Sequence, residues 1–267
     1  AGDRATRLYA NVEAKTYYQQ ALTTARALPA SPGTQRWDID AALKLAAVGV
    51  TRQDIERDRT NLDRARVLAE GLHDQPRSAQ VLYWLGRIHY VLSKPQTAIE
   101  YAKQSLEIAE RLGDDALAAP PVNLMGRLYW QVSDFPNSSQ MLARSVDQMC
   151  RLGNKSEEAT AAGFAGEVFA FMGQFSTAFA YAERGIQVAR EIHNPFAEAA
   201  TNQYRGFVRD QHGDWAQAIN DYENARRIAE SAGDIFRVYI VKYYEGQACT
   251  MGGDPARGRV LLEESLD

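Results

Sequence analysis

Gly86, Gly126, Gly166, Gly206 and Gly246 stand at intervals of 40 residues. A chain with so regular an internal period is tied to a repeat architecture before any other property is weighed. Neighbouring columns keep the same period. Apolar or aromatic residues precede each glycine, among them Trp84-Leu85, Leu124-Met125, Phe164-Ala165, Tyr204 and Tyr244. Small residues follow in two further columns: Ala98, Ser138, Ala178, Ala218 and Gly258, then Ser105, Ser145, Gly185, Ala225 and Ser265. Small side chains in fixed columns let one helix backbone lie close against the next.

The turns repeat as well. Ser93-Lys94, Ser133-Asp134, Gly173-Gln174, Gly213-Asp214 and Gly253-Asp254 separate one helical pattern from the next. His73-Asp74, Gly113-Asp114, Gly153-Asn154, His193-Asn194 and Gly233-Asp234 form the second junction. Each pairs a helix terminator with a residue able to cap the following helix. Pro95, Pro136 and Pro255 fall where a helix starts, and there the missing amide costs nothing. Each unit is thus two antiparallel helices, and the spacing predicts an all-α right-handed superhelix of about 13 helices. Helices are expected near 2–28, 36–49, 52–72, 76–92, 95–112, 119–132, 136–152, 155–172, 175–192, 195–212, 215–232, 235–252 and 255–267. Pro120-Pro121 should delay one helix to about Ala119, after a non-helical Asp114–Ala118. The whole of 1–267 reads as one solenoid, with degenerate repeats over 1–74, regular ones over 75–254 and a partial one over 255–267. Both ends fall inside repeats, so Tyr9, Val12, Tyr17 or Tyr18 and Val260, Leu261 or Leu262 should lack a neighbour. The expectation is a longer parent chain, also suggested by a first residue that is not Met, or a homo-oligomer paired through these ends.

The unit length and the small and aromatic columns resemble the tetratricopeptide repeat, although that repeat is usually about 34 residues long. Its helix-ending Pro is replaced here by Glu110, Cys150, Arg190 and Glu230, so the second helix can run on to the next junction. Residues 1–29, AGDRATRLYANVEAKTYYQQALTTARALP, and 101–114, YAKQSLEIAERLGD, are similar to the tetratricopeptide arrays of bacterial multidomain signalling ATPases and adenylate/guanylate cyclase-type regulators. The resemblance implies a regulatory, partner-binding arm and carries over no catalytic residue.

Composition narrows the function classes. A net charge of −4 and a pI near 5.7 give no general attraction to nucleic acid or an anionic membrane. No apolar run reaches the ~18 residues of a membrane span, and no leader opens the chain. Cys150 and Cys249 lie in apolar helical patterns and read as reduced core thiols of a cytoplasmic protein. No phosphate-cradling loop, nucleophile elbow or paired His ligand set is present, so neither enzyme, cofactor nor metal is expected. His73 and His193 occupy a helix-ending column.

First helices line the concave face of stacked two-helix repeats. By helical phase three rows point there: Tyr83, Asn123, Gly163, Gln203 and Tyr243; Arg87, Arg127, Glu167, Phe207 and Gln247; Tyr90, Trp130, Ala170, Asp210 and Thr250. The candidate binding residues are Tyr83, Arg87, Tyr90, Asn123, Arg127, Trp130, Gln203, Phe207 and Tyr243. Adjacent Arg87 and Arg127 suit a carboxylate or acidic peptide, unless neighbouring carboxylates or rings occupy them. The rows hold no Lys, which disfavours a Lys/Asn clamp for a chain-terminal carboxylate. A protein- or peptide-binding scaffold for a partner or for other domains of the parent chain is the leading expectation. A small-molecule-sensing regulatory arm and a structural self-association module are the alternatives.

Overall fold

The computed structural model of the chain describes residues 1–7, 11–48 and 55–266. Among these there are fourteen helices and no strand. The helices are α1 (Gly2–Arg7), α2 (Asn11–Ala27), α3 (Pro32–Val48), α4 (Ile55–Gly71), α5 (Gln75–Val91), α6 (Pro95–Leu112) and α7 (Asp115–Gln131). They continue as α8 (Phe135–Arg151), α9 (Lys155–Phe171), α10 (Phe175–Glu191), α11 (Pro195–His212), α12 (Trp215–Ala232), α13 (Ile235–Met251) and α14 (Pro255–Glu264). The chain divides into two compact units, Ala1–Leu128 and Tyr129–Asp267, with the division inside α7.

The junctions stop helices by one device, repeated ten times. His73, Ser93, Gly113, Ser133, Gly153, Gly173, His193, Gly213, Gly233 and Gly253 all have positive φ. At each, two amides turn back onto the helix just ended: Asp114 N–H donates to Ala109 O at 3.1 Å and Gly113 N–H to Glu110 O at 3.0 Å. This closes carbonyls the helix end would leave bare. The next residue then caps the following helix. The side chains of Asp74, Asp134, Asn154, Asn194, Asp234 and Asp254 accept first-turn amides.

Three helix starts differ from the sequence expectation, each for a local reason. α7 begins at Asp115 and carries Pro120 and Pro121 inside it, rather than starting near Ala119. Asp114 is the cause: its carboxylate accepts Leu117 N–H at 2.9 Å, and its carbonyl accepts Ala118 N–H. The two prolines then remove only early ladder bonds, one of them to the carbonyl of exposed Ala116. α3 begins at Pro32 rather than near 36, because Ser31 and Thr34 cap each other reciprocally through side chain and backbone. The stretch 2–28 is not one helix. α1 lies against α2, with Tyr18 Oη donating to Asp3 Oδ1 at 2.7 Å and meeting Thr6 Oγ1 at 3.0 Å.

Within each unit the small-residue columns bring helices together. A methyl group on Gly166 of α9 would come within 2.8 Å of the Ala178 carbonyl of α10. At Gly206 the neighbour is instead the ring of Tyr222, which is fully buried. Among the end residues, Val12, Tyr17 and Val260 are exposed, whereas Tyr18 and Leu261 are buried; Tyr9 lies outside the described residues. Cys249 is a core thiol but Cys150 is exposed, because its helical phase turns it away from the apolar face of α8.

Candidate functional site

Buried acids are a prominent polar feature of both units, and sequence phase alone did not find them. In the first unit Asp38 takes Arg26 Nε at 3.2 Å and Arg64 Nε at 2.9 Å. In the second, Asp221 takes Arg205 Nη2 at 2.6 Å and Arg209 Nη1 at 2.8 Å. Glu245 takes Arg226 Nε at 3.0 Å and Arg257 Nη2 at 2.6 Å. Glu158 takes Lys155 Nζ and Arg184 Nη2, both at 3.0 Å. Burial works to raise the Glu158 pKa, but the hydrogen bonds from Lys155 and Arg184 outweigh it and hold the carboxylate below its ordinary range. Each of these acids is saturated by two cations, so they tie helices together and are closed to a ligand.

The nine candidate residues sort differently. In the first unit Tyr83, Arg87 and Tyr90 on α5 are half-buried. The Arg87 guanidinium lies 5.8 Å over the Trp84 ring, with Tyr83 edge-on to that ring at 5.2 Å. The buried Arg87 Nε has no acceptor. On α7, Arg127 Nε donates to Asn123 Oδ1 at 3.1 Å, one helical turn back.

In the second unit the candidates join a chain of rings. Trp130 meets Phe164 at 5.6 Å and Phe171 at 6.4 Å, with its buried Nε1–H unsatisfied. Phe171 meets Phe207 at 5.1 Å, and Phe207 meets Tyr244 at 5.7 Å. Tyr244 stacks on Tyr222 at 6.1 Å and meets Tyr243 edge-on at 5.3 Å. Gln203 and Phe207 are buried; Gln203 Oε1 accepts Arg237 Nη1 at 2.6 Å and so belongs to the packing between α11 and α13. Tyr243 is 45% exposed and accepts a hydrogen bond from Gln247. Phe171 and Tyr244 were missing from the candidate set, although aromatic residues recurring on successive first helices were a readable signal.

Asp210 stands apart from the other acids. It sits one turn beyond Phe207 on α11, and burial alone raises its pKa, with no donor or cation acting on it. Tyr222 Oη is buried without a hydrogen-bond partner. Burial raises the Tyr222 pKa well above its ordinary value, and the nearby charges of Asp210 and Glu167 add to the rise. Burial likewise raises Tyr244, with Glu167 contributing.

Among the described residues no group of His, Cys, Asp and Glu gathers that could hold a metal ion, and no helix is long and apolar enough to cross a membrane. An open cleft of about 620 Å³ lies along α4, α5 and α6, lined by polar groups such as Arg66, Glu70, Gln75 and Glu107. It includes none of the nine candidates.

No family model and no curated protein matches the chain. Solved structures do. The apo form of RapI aligns with a TM-score of 0.79 at 15% identity, over 99% of this chain and 93% of that one. The chain has the tetratricopeptide-like repeat fold. The Rap conjugation gene regulator of plasmid pLS20, solved with the Phr* peptide, aligns at 0.78 and 15% identity, over 100% of this chain and 71% of that one. A Signal Transduction ATPase with Numerous Domains (STAND) protein with a tetratricopeptide repeat sensor, from Pyrococcus horikoshii, aligns at 0.64 and 15% identity, over 86% of this chain and 36% of that one. At such identities the likeness is one of fold alone. The long tetratricopeptide-like unit accounts for what the columns showed: helix pairs packed through small residues, with larger side chains left over on the first helices.

Proposed function

We propose that the chain is a peptide-binding scaffold, acting as the non-catalytic arm of a larger bacterial signalling or regulatory protein in the cytoplasm. The observation that carries this reading is a division of labour among polar groups. The packing acids are saturated by cations, whereas the first helices keep Arg87 on a ring with its Nε unsatisfied, Asp210 without a donor, and the part-exposed rings of Trp130 and Tyr243. Unsatisfied polar groups interleaved with aromatics suit a ligand that brings its own charges. The Phr* complex of a neighbour in fold adds support, since that protein takes a peptide.

In the first unit the ligand group is an acidic side chain or carboxylate, held by Arg87 and Arg127 beside Tyr83, Tyr90 and Asn123. A degenerate peptide library passed over the immobilised chain tests this. Acidic peptides should be retained, and Arg127→Ala should weaken them by roughly 1–3 kcal/mol with little change in melting temperature. Unchanged affinity together with a large loss of stability would assign both arginines to packing instead.

A further inference from the structure

The cleft of about 620 Å³ in the first unit is open because one tie is missing from it. α5 packs against both α4 and α6 and contributes Ser78 and Leu82 to the lining, while α6 contributes Glu100, Tyr101, Gln104 and Glu107. The same columns are bridged elsewhere. In the α9–α10 pair the counterparts of Ser78 and Gln104 are Glu158 and Arg184, which meet at 3.0 Å. In the α13–α14 pair the counterparts of Leu82 and Gln104 are Lys242 and Glu264, which meet at 2.9 Å. Each pair lays long side chains from a first helix across to a second. Ser78 is too short to do so. It is 7% exposed, and its hydroxyl lines the cleft without a hydrogen-bond partner among the described residues. Such a buried group is a contact that a ligand can complete. The charges narrow the ligand. Arg66, the cation in the lining, is held by Glu70 at 2.9 Å, and Arg111 of α6 is turned to Gln75. Glu100 and Glu107 are exposed and have no ion pair among the described residues. They stand two turns apart on α6, a rise of about 10.5 Å, so one ligand must be long enough to answer both. Leu82, Tyr101 and Ile108 add apolar surface to the same cleft.

We propose that this cleft docks a basic peptide segment of a partner protein. Two cationic side chains pair with Glu100 and Glu107, their alkyl stems lie on Leu82, Tyr101 and Ile108, and a backbone group of the segment meets the Ser78 hydroxyl. Arginine suits the carboxylates better than lysine, because its planar fork engages both oxygens at once. The cleft is separate from the site of Arg87 and Arg127, which do not line it and which select the opposite charge. It therefore goes beyond the acidic-peptide reading and does not depend on it.

The test uses the chain 1–267 and fluorescein-labelled hexapeptide pools followed by anisotropy. One pool has two fixed arginines, a second has neutral citrulline at those positions, and a third has two fixed glutamates. The arginine pool should bind at least about tenfold more tightly than the citrulline pool and lose that advantage as salt is raised. Glu100→Gln with Glu107→Gln removes two exposed charges, so it should melt as the parent does and weaken the arginine pool by at least about tenfold. Ser78→Glu with Gln104→Arg copies the Glu158–Arg184 pair into the cleft and should abolish arginine-pool binding by closing it. If that second variant fails to fold, the double glutamine variant decides alone. Equal binding of the arginine and citrulline pools, or arginine binding that survives the glutamine substitutions, overturns the proposal. Spermidine binding more tightly than the arginine pool would make the occupant a polyamine. A dimer that the glutamine variant abolishes, with no peptide bound, would make it a second copy of the chain. Either result also overturns the proposal. The glutamate pool reports the Arg87 and Arg127 site separately. Its binding without the arginine pool overturns the cleft and leaves the acidic-peptide reading standing, and the reverse pattern does the opposite.

Discussion

α11 and α13 hold the same place in successive repeats, yet one is enclosed and the other is open. The column Ala79, Ala119, Ala159 and Ala199 is buried in every earlier repeat, and its last member is Tyr239, 36% exposed. Gln203 is buried, and its counterpart Tyr243 is among the more exposed aromatics. The reason is the number of neighbours. α11 packs against α9, α10, α12 and α13, whereas α13 has α12, α14 and a small contact with α11. The same backbone position is therefore core or surface according to what lies beside it.

The comparison breaks most severely at the polar tie of α11. Asp221 holds Arg205 and Arg209 of that helix, so Asp221→Ala should leave Arg209 without its carboxylate and Arg205 with only the exposed Glu183, and cost about 3–5 kcal/mol in urea unfolding. A loss under about 1 kcal/mol would mean that the pair contributes little to holding α11 against α12. Next in size is a reciprocal swap in the column itself. Ala199→Tyr should overpack α11 by about 3 kcal/mol, while Tyr239→Ala in α13 should change stability by less than about 1 kcal/mol. Equal effects of the two would show that α13 is covered in solution.

A pH series sharpens the contrast between Asp210 and the paired acids. Its raised pKa means that below the ordinary carboxylate range both folded and unfolded chains hold the proton, and Asp210 costs nothing. As pH rises through that range and past the raised native value, the fold must ionise a poorly hydrated carboxylate and loses stability. Burial is the only cause of the rise, with no neighbouring charge offsetting it. Asp210→Asn should therefore raise the melting temperature at pH 7 and leave it almost unchanged at pH 3. A shift of the same size at both pH values would refute this assignment. Glu158, whose pKa is lowered, should show the opposite trend, with its contribution lost as the solution is acidified.

The smallest effect is at the entrances. His193 before α11 and Gly233 before α13 share a column and a left-handed backbone, with φ of 51° and 71°. His193→Gly should stabilise by about 0.5–1 kcal/mol, by relieving the strain of a side chain there, and Gly233→Ala should destabilise by a similar amount. Thermal melts of both variants decide it. No gain from His193→Gly would mean that the imidazole makes a compensating contact.

The repeat, its junctions and most helix limits were legible because they depend on local backbone rules that a sequence states directly. Left-handed stops at Gly113 and Gly153 and caps at Asp74 and Asn154 need no knowledge of the tertiary fold. Where two local rules compete, as at Pro120-Pro121 after Asp114, the cap prevailed and the sequence order did not reveal it. The first-helix rows were readable as phase but not as burial, since Phe207 and Gln203 are covered by side chains about 35 to 40 positions away in the chain. Pairing of Asp38 with Arg64 or of Glu158 with Arg184 joins separate helices, and no periodicity announces it. Asp210 was placed on a row by phase. What distinguishes it is the absence of an arginine on its carboxylate, and that is visible only in three dimensions.

The ten left-handed junctions also constrain how such a chain can change in length. One residue inserted within a helix turns everything beyond it by about 100°, which sends small columns toward solvent and charged faces inward. A whole block added between two equivalent junctions brings its own stop, its own cap and its own packing columns, and leaves the register on either side as it was. Growth and loss by units of 40 residues is therefore the neutral route, and single-residue drift inside a helix the costly one. Tolerance to insertion should peak at the polar tips that follow these stops, giving the chain a natural set of places where a new segment can be grafted without disturbing either neighbour.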